Sequence, residues 1–170
     1  MYTLIVYCSS HGTTAKAVKL LASKISGEII VADLKEKKEM DTHLDVSLYD
    51  NIIIGGSIHA GNIQGKVKQF VKSNLSSLLL KNVGLFLCCM RTGEIATQQF
   101  EAAFPEELRK HAVATSLFGG EFLVSKMNFV EKKIVKKISG VSEDTFMLNE
   151  DEIFSFAEKF NKNYEIIHQV

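Results

Sequence analysis

Tyr2-Thr3-Leu4-Ile5-Val6-Tyr7-Cys8-Ser9-Ser10-His11-Gly12-Thr13-Thr14 decides how the rest of the chain reads. An apolar run ends in a cluster of hydroxyl residues around one glycine, and a helical pattern begins inside that cluster. Residues 2–7 are mostly apolar or aromatic, the pattern of a strand buried on both faces. From residue 13 to residue 26, Ala17, Leu20, Leu21 and Ile25 recur at helical spacing. A helix that starts in such a loop offers unpaired backbone N–H groups and a favourable dipole, which together attract phosphate. Ser9, Ser10, Thr13 and Thr14 add hydroxyl donors, and Gly12 lets the backbone come close. No lysine stands within the loop, so the Gly-Lys-Ser/Thr ending of a triphosphate loop is missing, as is Gly-x-Gly-x-x-Gly. The pattern predicts a monophosphate held by neutral donors. A simple helix cap needs fewer hydroxyls than this.

Working outward, a second strand is predicted over residues 29–34, followed by the charged stretch Lys35-Glu36-Lys37-Lys38-Glu39. A third strand, residues 51–56, stops at the loop Ser57-Ile58-His59-Ala60-Gly61-Asn62, and a helix over residues 64–74 buries Val67, Phe70 and Val71. The fourth strand covers residues 83–89, with a helix over 94–103 after it and a short helical turn from Pro105. A fifth strand over residues 113–122 contains Gly119-Gly120, and a final helix over residues 151–163 opens on Glu150, Asp151 and Glu152, which suit the positive end of its dipole. Strands alternating with helices predict an α/β fold with a five-stranded parallel sheet covered on both faces. The doubly wound order 2-1-3-4-5 is allowed, although periodicity alone does not fix it.

The 170 residues fit one domain. Twenty basic residues balance 20 acidic ones, so no global field recruits nucleic acid. The start of the chain lacks the basic segment of a secretory signal, and no apolar run approaches the roughly 20 residues of a membrane span. Cys8, Cys88 and Cys89 show no metal-ligand spacing, so no metal site is expected, and they read as reduced thiols of a cytoplasmic protein. The adjacent pair points to opposite faces of a strand and reads as buried filler.

The loop Ser9 to Thr14 resembles the flavodoxin phosphate loop Ser/Thr-x-Ser/Thr-Gly-x-Thr, with His11 in place of one hydroxyl residue. Residues 55–70, the turn Phe118-Gly119-Gly120, Ile138-Ser139-Gly140 and residues 151–160 look like one branch of that family. It comprises the menaquinone-dependent protoporphyrinogen oxidases, which carry a long insertion after strand five. The resemblance implies FMN as cofactor, with Ser9, Ser10, His11, Gly12, Thr13 and Thr14 on its phosphate. Ser57, Ile58, His59, Ala60, Gly61 and Asn62 would meet the flavin ring, together with Cys89, Met90, Arg91, Thr92 and Gly93. Gly61 and Asn62 would offer a backbone group to flavin N5. Arg91 reads equally as a partner for an anion or as a solvated loop residue. Neither ring loop has an aromatic side chain other than His59, so one ring face is expected to be open.

The insertion, residues 124–148, is expected to hold a helix over 126–138. Met127, Val130, Ile134 and Ile138 form an apolar stripe there, while Lys126, Lys132, Lys133, Lys136 and Lys137 make it basic. Either the lysines face an anionic membrane surface or substrate propionates, or the helix covers the sheet edge and the lysines only solvate it. The functional expectation is an FMN-dependent oxidoreductase passing electrons from a reduced small molecule, such as protoporphyrinogen IX, to a quinone or protein acceptor. The rivals are an electron-transfer flavodoxin serving a protein partner and a flavodoxin-like domain without cofactor. No general base stands out, so no catalytic residue is assigned. The expected location is the cytoplasm, with peripheral contact at the inner face of the membrane through the basic helix.

Overall fold

The computed structural model describes residues 2–36, 44–122, 128–139 and 145–168. Its central sheet begins with β1 (Tyr2–Cys8), which α1 (Thr13–Ala22) follows, and then β2 (Glu28–Asp33). After a 3-10 turn at Val46–Leu48 come β3 (Asn51–His59), β4 (Asn62–Ile63) and α2 (Gly65–Leu78). β5 (Asn82–Cys88), α3 (Gly93–Ala103), α4 (Glu106–His111) and β6 (Ala114–Leu117) complete the regular alternation. The parallel strands stand in the order β2-β1-β3-β5-β6. This is the doubly wound α/β arrangement, and it differs in detail through the short β4 hung on β3.

Side-chain alternation explains why the central strands read as continuous apolar runs. Leu4, Val6, Ile52, Ile54, Leu85 and Leu87 enter one core, which also holds Val67, Phe70 and Val71 from α2. Ile5, Ile53 and Phe86 enter the other, with Ala17, Val18 and Leu21 from α1. Cys88 packs in the second core and Cys89 in the first, so the neighbouring thiols lie on opposite faces and are buried.

Two expectations about the strands need correction. The third strand does not stop at Gly56. It runs through Ser57, Ile58 and His59 and turns back into β4, pairing Ile58 with Ile63 and His59 with Asn62. The expected loop is thus a tight hairpin, set by left-handed backbone at Ala60 (φ 47°) and Gly61 (φ 83°). The fifth strand breaks at Phe118, beyond which β7 (Gly119–Phe122) pairs antiparallel with β8 (Thr145–Leu148) in a separate two-stranded sheet. Gly119, at φ 70°, lets the chain leave the main sheet there.

The insertion helix is α5 (Phe129–Ser139), capped by Asn128 Oδ1, which accepts from the Val130 N–H at 3.0 Å. The expected positions Lys126 and Met127 lie outside the described residues. Of the stripe, Val130 is 63% exposed and Ile134 46%, beside Phe129 at 71%. The last helix, α6 (Glu150–His168), is longer than its sequence pattern suggested. It is capped by Asn149 Oδ1, which accepts from the Glu152 N–H at 3.1 Å. Ile153, Phe156, Ala157 and Phe160 carry α6 onto the second core. Among the described residues, no helix is long and apolar enough to cross a membrane.

Candidate functional site: the loops at the carboxyl ends of β1, β3 and β5

Parallel strands deliver the loops after β1, β3 and β5 to one end of the sheet, where ligands of doubly wound folds bind. The loop after β1 is organised by Ser9. Its buried hydroxyl oxygen accepts from the N–H of Gly12 at 3.1 Å and of Ala15 at 3.4 Å. Gly12 sits at φ 98° and ψ −13° as the N-cap just before α1, and it has no side chain with which to cap the helix. A Cβ added there would meet nothing within 4 Å, so the loop leaves open space on that side. Thr13 and Thr14 are buried in the first turn.

The hydroxyl of Thr14 decides whether this loop suits a phosphate. Thr14 is 1% exposed, and its Oγ1 has no hydrogen-bond partner within the protein. A buried hydroxyl left unpaired costs roughly 1–3 kcal/mol. A helix start whose N-cap glycine offers no side chain, beside an orphaned hydroxyl donor, fits a phosphomonoester, which supplies acceptor oxygens.

His11 and His59 meet across the site, with ring centroids 5.3 Å apart and planes tilted by 33°. His11, the irregular position of the loop after β1, is therefore joined to the hairpin that the resemblance expected against the ring. The base of that hairpin is clamped by Gln64, whose Oε1 accepts from the Ser57 N–H at 2.8 Å while its Nε2 donates to Ser57 Oγ at 2.6 Å. Gly56 makes room for the clamp, because a Cβ there would lie 2.7 Å from Gln64 Oε1. Asn62 Oδ1 accepts from Lys68 Nζ at 3.4 Å.

The third loop is more open. Cys89 is buried, its thiol donates to the Arg91 carbonyl at 3.6 Å, and burial pushes its pKa up. Arg91, Thr92 and Gly93 are exposed. They border a cavity of about 570 Å³ that continues along β6 to Ser116 and Glu152, whose side chains are hydrogen-bonded at 2.9 Å. Residues of the loops after β1 and β3 are not among those lining this cavity.

The sequence missed Gln64, whose role depends on a hairpin that cannot be read from composition. It also missed Lys35, whose Nζ donates to the Ser10 carbonyl at 3.4 Å. The readable signal for Lys35 was strand order: with β2 beside β1, the residues that follow β2 emerge next to the phosphate loop.

The flavodoxin domain model matches residues 4–149 of this chain. No curated protein matches it. Among solved structures, oxidised flavodoxin 1 from Bacillus cereus superposes with a TM-score of 0.60 at 16% identity, over 95% of this chain and 98% of that one. The two-electron reduced flavodoxin of Megasphaera elsdenii gives 0.57 at 16% identity, over 94% and 98%. The Flv1 flavodiiron core from Synechocystis sp. PCC6803 gives 0.65 at 11% identity, over 99% of this chain but 37% of that one. The chain thus spans little more than a third of that flavodiiron protein, and these structural likenesses speak to fold. The family model spans the parallel sheet from Leu4 onward, including the loop Ser9 to Thr14, and it points to FMN as the cofactor: this chain belongs to the flavodoxin domain family.

Proposed function

We propose that this chain, as a single flavodoxin-like unit with an insertion at residues 124–148, is an FMN-dependent oxidoreductase. The observation that carries the reading is the buried, unpartnered Thr14 hydroxyl at the open start of α1. When bound, FMN supplies a centre that accepts two electrons from a reduced compound and returns them to an acceptor. Residues Ser9, Ser10, His11, Gly12, Thr13 and Thr14 hold the phosphate. The hairpin from Ser57 to Asn62 and the loop from Cys89 to Gly93 flank the ring. With no Trp or Tyr in either ring loop, the ring keeps a face open to a planar substrate.

The substrate and acceptor rest on the sequence resemblance, which names protoporphyrinogen IX and a quinone. Exposed Phe129, Val130 and Ile134 on α5, beside Lys132, Lys133, Lys136 and Lys137, support contact with an anionic membrane surface, where a quinone dissolves. The rival is an electron carrier serving a protein partner. Its usual acidic field is missing from a chain with 20 acidic and 20 basic residues.

The visible spectrum of the purified protein, followed by titration with FMN, tests the cofactor. A colourless protein that does not change on adding FMN would overturn both redox readings. An anaerobic assay of protoporphyrinogen IX oxidation with a menaquinone analogue then separates enzyme from carrier. Flavin that cycles with a chemical reductant while the porphyrinogen stays untouched would leave the carrier ahead.

A further inference from the structure

Charge is what the phosphate loop lacks. A phosphomonoester carries nearly two negative charges at neutral pH, and residues 9–14 include no lysine or arginine. The neighbouring strand brings one in. β2 runs parallel to β1 and in register with it from Tyr2 against Glu28 to Tyr7 against Asp33, so the residues after β2 leave the sheet beside Ser9 and Ser10.

The backbone there is held from several sides. The Leu34 N–H donates to the Tyr7 carbonyl at 2.7 Å, and the Lys35 N–H to Asp33 Oδ1 at 2.9 Å. From α2, Lys66 Nζ donates to the carbonyls of Leu34 at 2.8 Å and Lys35 at 3.2 Å. Lys66 is thus used to fix the segment that carries Lys35. A free surface lysine samples many rotamers, whereas this one reaches across 25 positions of sequence to the Ser10 carbonyl at 3.4 Å. A bond of that length is weak, and what it shows is position: the ammonium group stands at the rim of the loop.

We propose that Lys35 supplies the cation missing from the phosphate loop and so selects phosphorylated flavin over riboflavin, with Lys66 as the residue that positions it. This rests on the reading of the loop as an FMN site. Lys35 draws the dianion by charge, and the neutral donors of residues 9–14 then fix its oxygens. The pairing sits at a solvent-exposed rim, so salt screens it, and riboflavin, without the phosphate, does not feel it.

The test is flavin titration of the flavin-free protein, with FMN and with riboflavin, at low salt and in about 1 M salt, where the screening length falls to about 3 Å. Lys35→Gln keeps a polar side chain and removes the charge. It is expected to weaken FMN binding about three- to tenfold at low salt, to approach the wild type in high salt, and to leave riboflavin unchanged. Lys35→Arg is expected to restore the low-salt affinity. Equal FMN affinity in Lys35→Gln, or a loss that persists undiminished in high salt, overturns the inference while leaving the FMN site standing. Wild-type protein that binds no FMN at all overturns the cofactor reading and this inference with it.

Discussion

The ring of Phe86 fills the space that a side chain at Gly55 would need: a Cβ built on Gly55 would lie 2.1 Å from Phe86 Cζ. The two residues are register partners on β3 and β5. Phe86 also stacks on Phe118, with centroids 4.6 Å apart, and meets Phe156 edge-on at 6.5 Å. Gly55-Gly56 leads directly into the hairpin of the candidate site, so this packing sets where the hairpin emerges.

Gly55→Ala is therefore expected to destabilise the protein by about 3 kcal/mol through overpacking. Pairing it with Phe86→Leu should recover part of the loss. Urea denaturation of the two variants measures both. A Gly55→Ala protein as stable as the wild type would show that the ring has room to move.

Thr14→Val removes the orphaned hydroxyl and keeps the shape. The flavin-free protein should be as stable as the wild type or about 1 kcal/mol more so, since an unpaired buried hydroxyl disappears. FMN affinity should fall about tenfold, which corresponds to about 1.4 kcal/mol. Thr14→Glu, which puts a carboxylate where the phosphate belongs, should abolish binding in a protein that still melts cooperatively. Unchanged FMN affinity in either variant would place the phosphate elsewhere.

Ala60 holds φ 47° in the hairpin turn, a conformation that a residue with a Cβ adopts at some cost. Ala60→Gly should raise stability by roughly 0.5 kcal/mol, the relieved strain being partly offset by a more flexible unfolded chain. Thermal melting of the flavin-free protein reads this directly. A lower melting temperature would mean that the turn is not strained.

Two buried thiols make stability depend on alkaline pH. Burial, reinforced by the Asp33 carboxylate, pushes Cys8 up against the opposing pull of Lys66 and Lys35, and burial pushes Cys89 up. Unfolded thiols ionise near about 8.5. Because the folded values are higher, the thiols' contribution is fully present below that pH and is lost as pH rises through the folded values. Tyr7, pushed up mainly by burial and then by Asp33 and Glu36, extends the decline above about 10. Melting temperatures from pH 7 to 11 should fall more steeply in the wild type than in Cys8→Ala/Cys89→Ala. Parallel curves would remove the thiols from the account.

Much of the sheet was legible because both of its faces are buried. Leu4 to Val6 and Ile52 to Ile54 are apolar at every position, and only a strand covered on both sides requires that. The strand-to-helix turn at Ser9 to Thr14 was legible for a local reason: strand, hydroxyl cluster, glycine and helix follow one another within residues 2–26. The hairpin at Ala60-Gly61 was missed because an alanine at positive φ gives no warning in sequence. The break at Phe118 was missed because β7 pairs with β8, 26 positions beyond Gly119, and nothing near Gly119 announces that partner.

By itself the sequence determined the alternation of strands and helices and the cluster Ser9 to Thr14, because period and turn chemistry are properties of neighbours along the chain. Only the tertiary structure decided what surrounds that cluster. It brought His59 to His11, Lys35 to Ser10 and Gln64 to Ser57, and it left the Thr14 hydroxyl without a partner. Those relationships depend on β2 and β3 flanking β1, and strand order comes from the packing of the whole sheet rather than from any one stretch of residues.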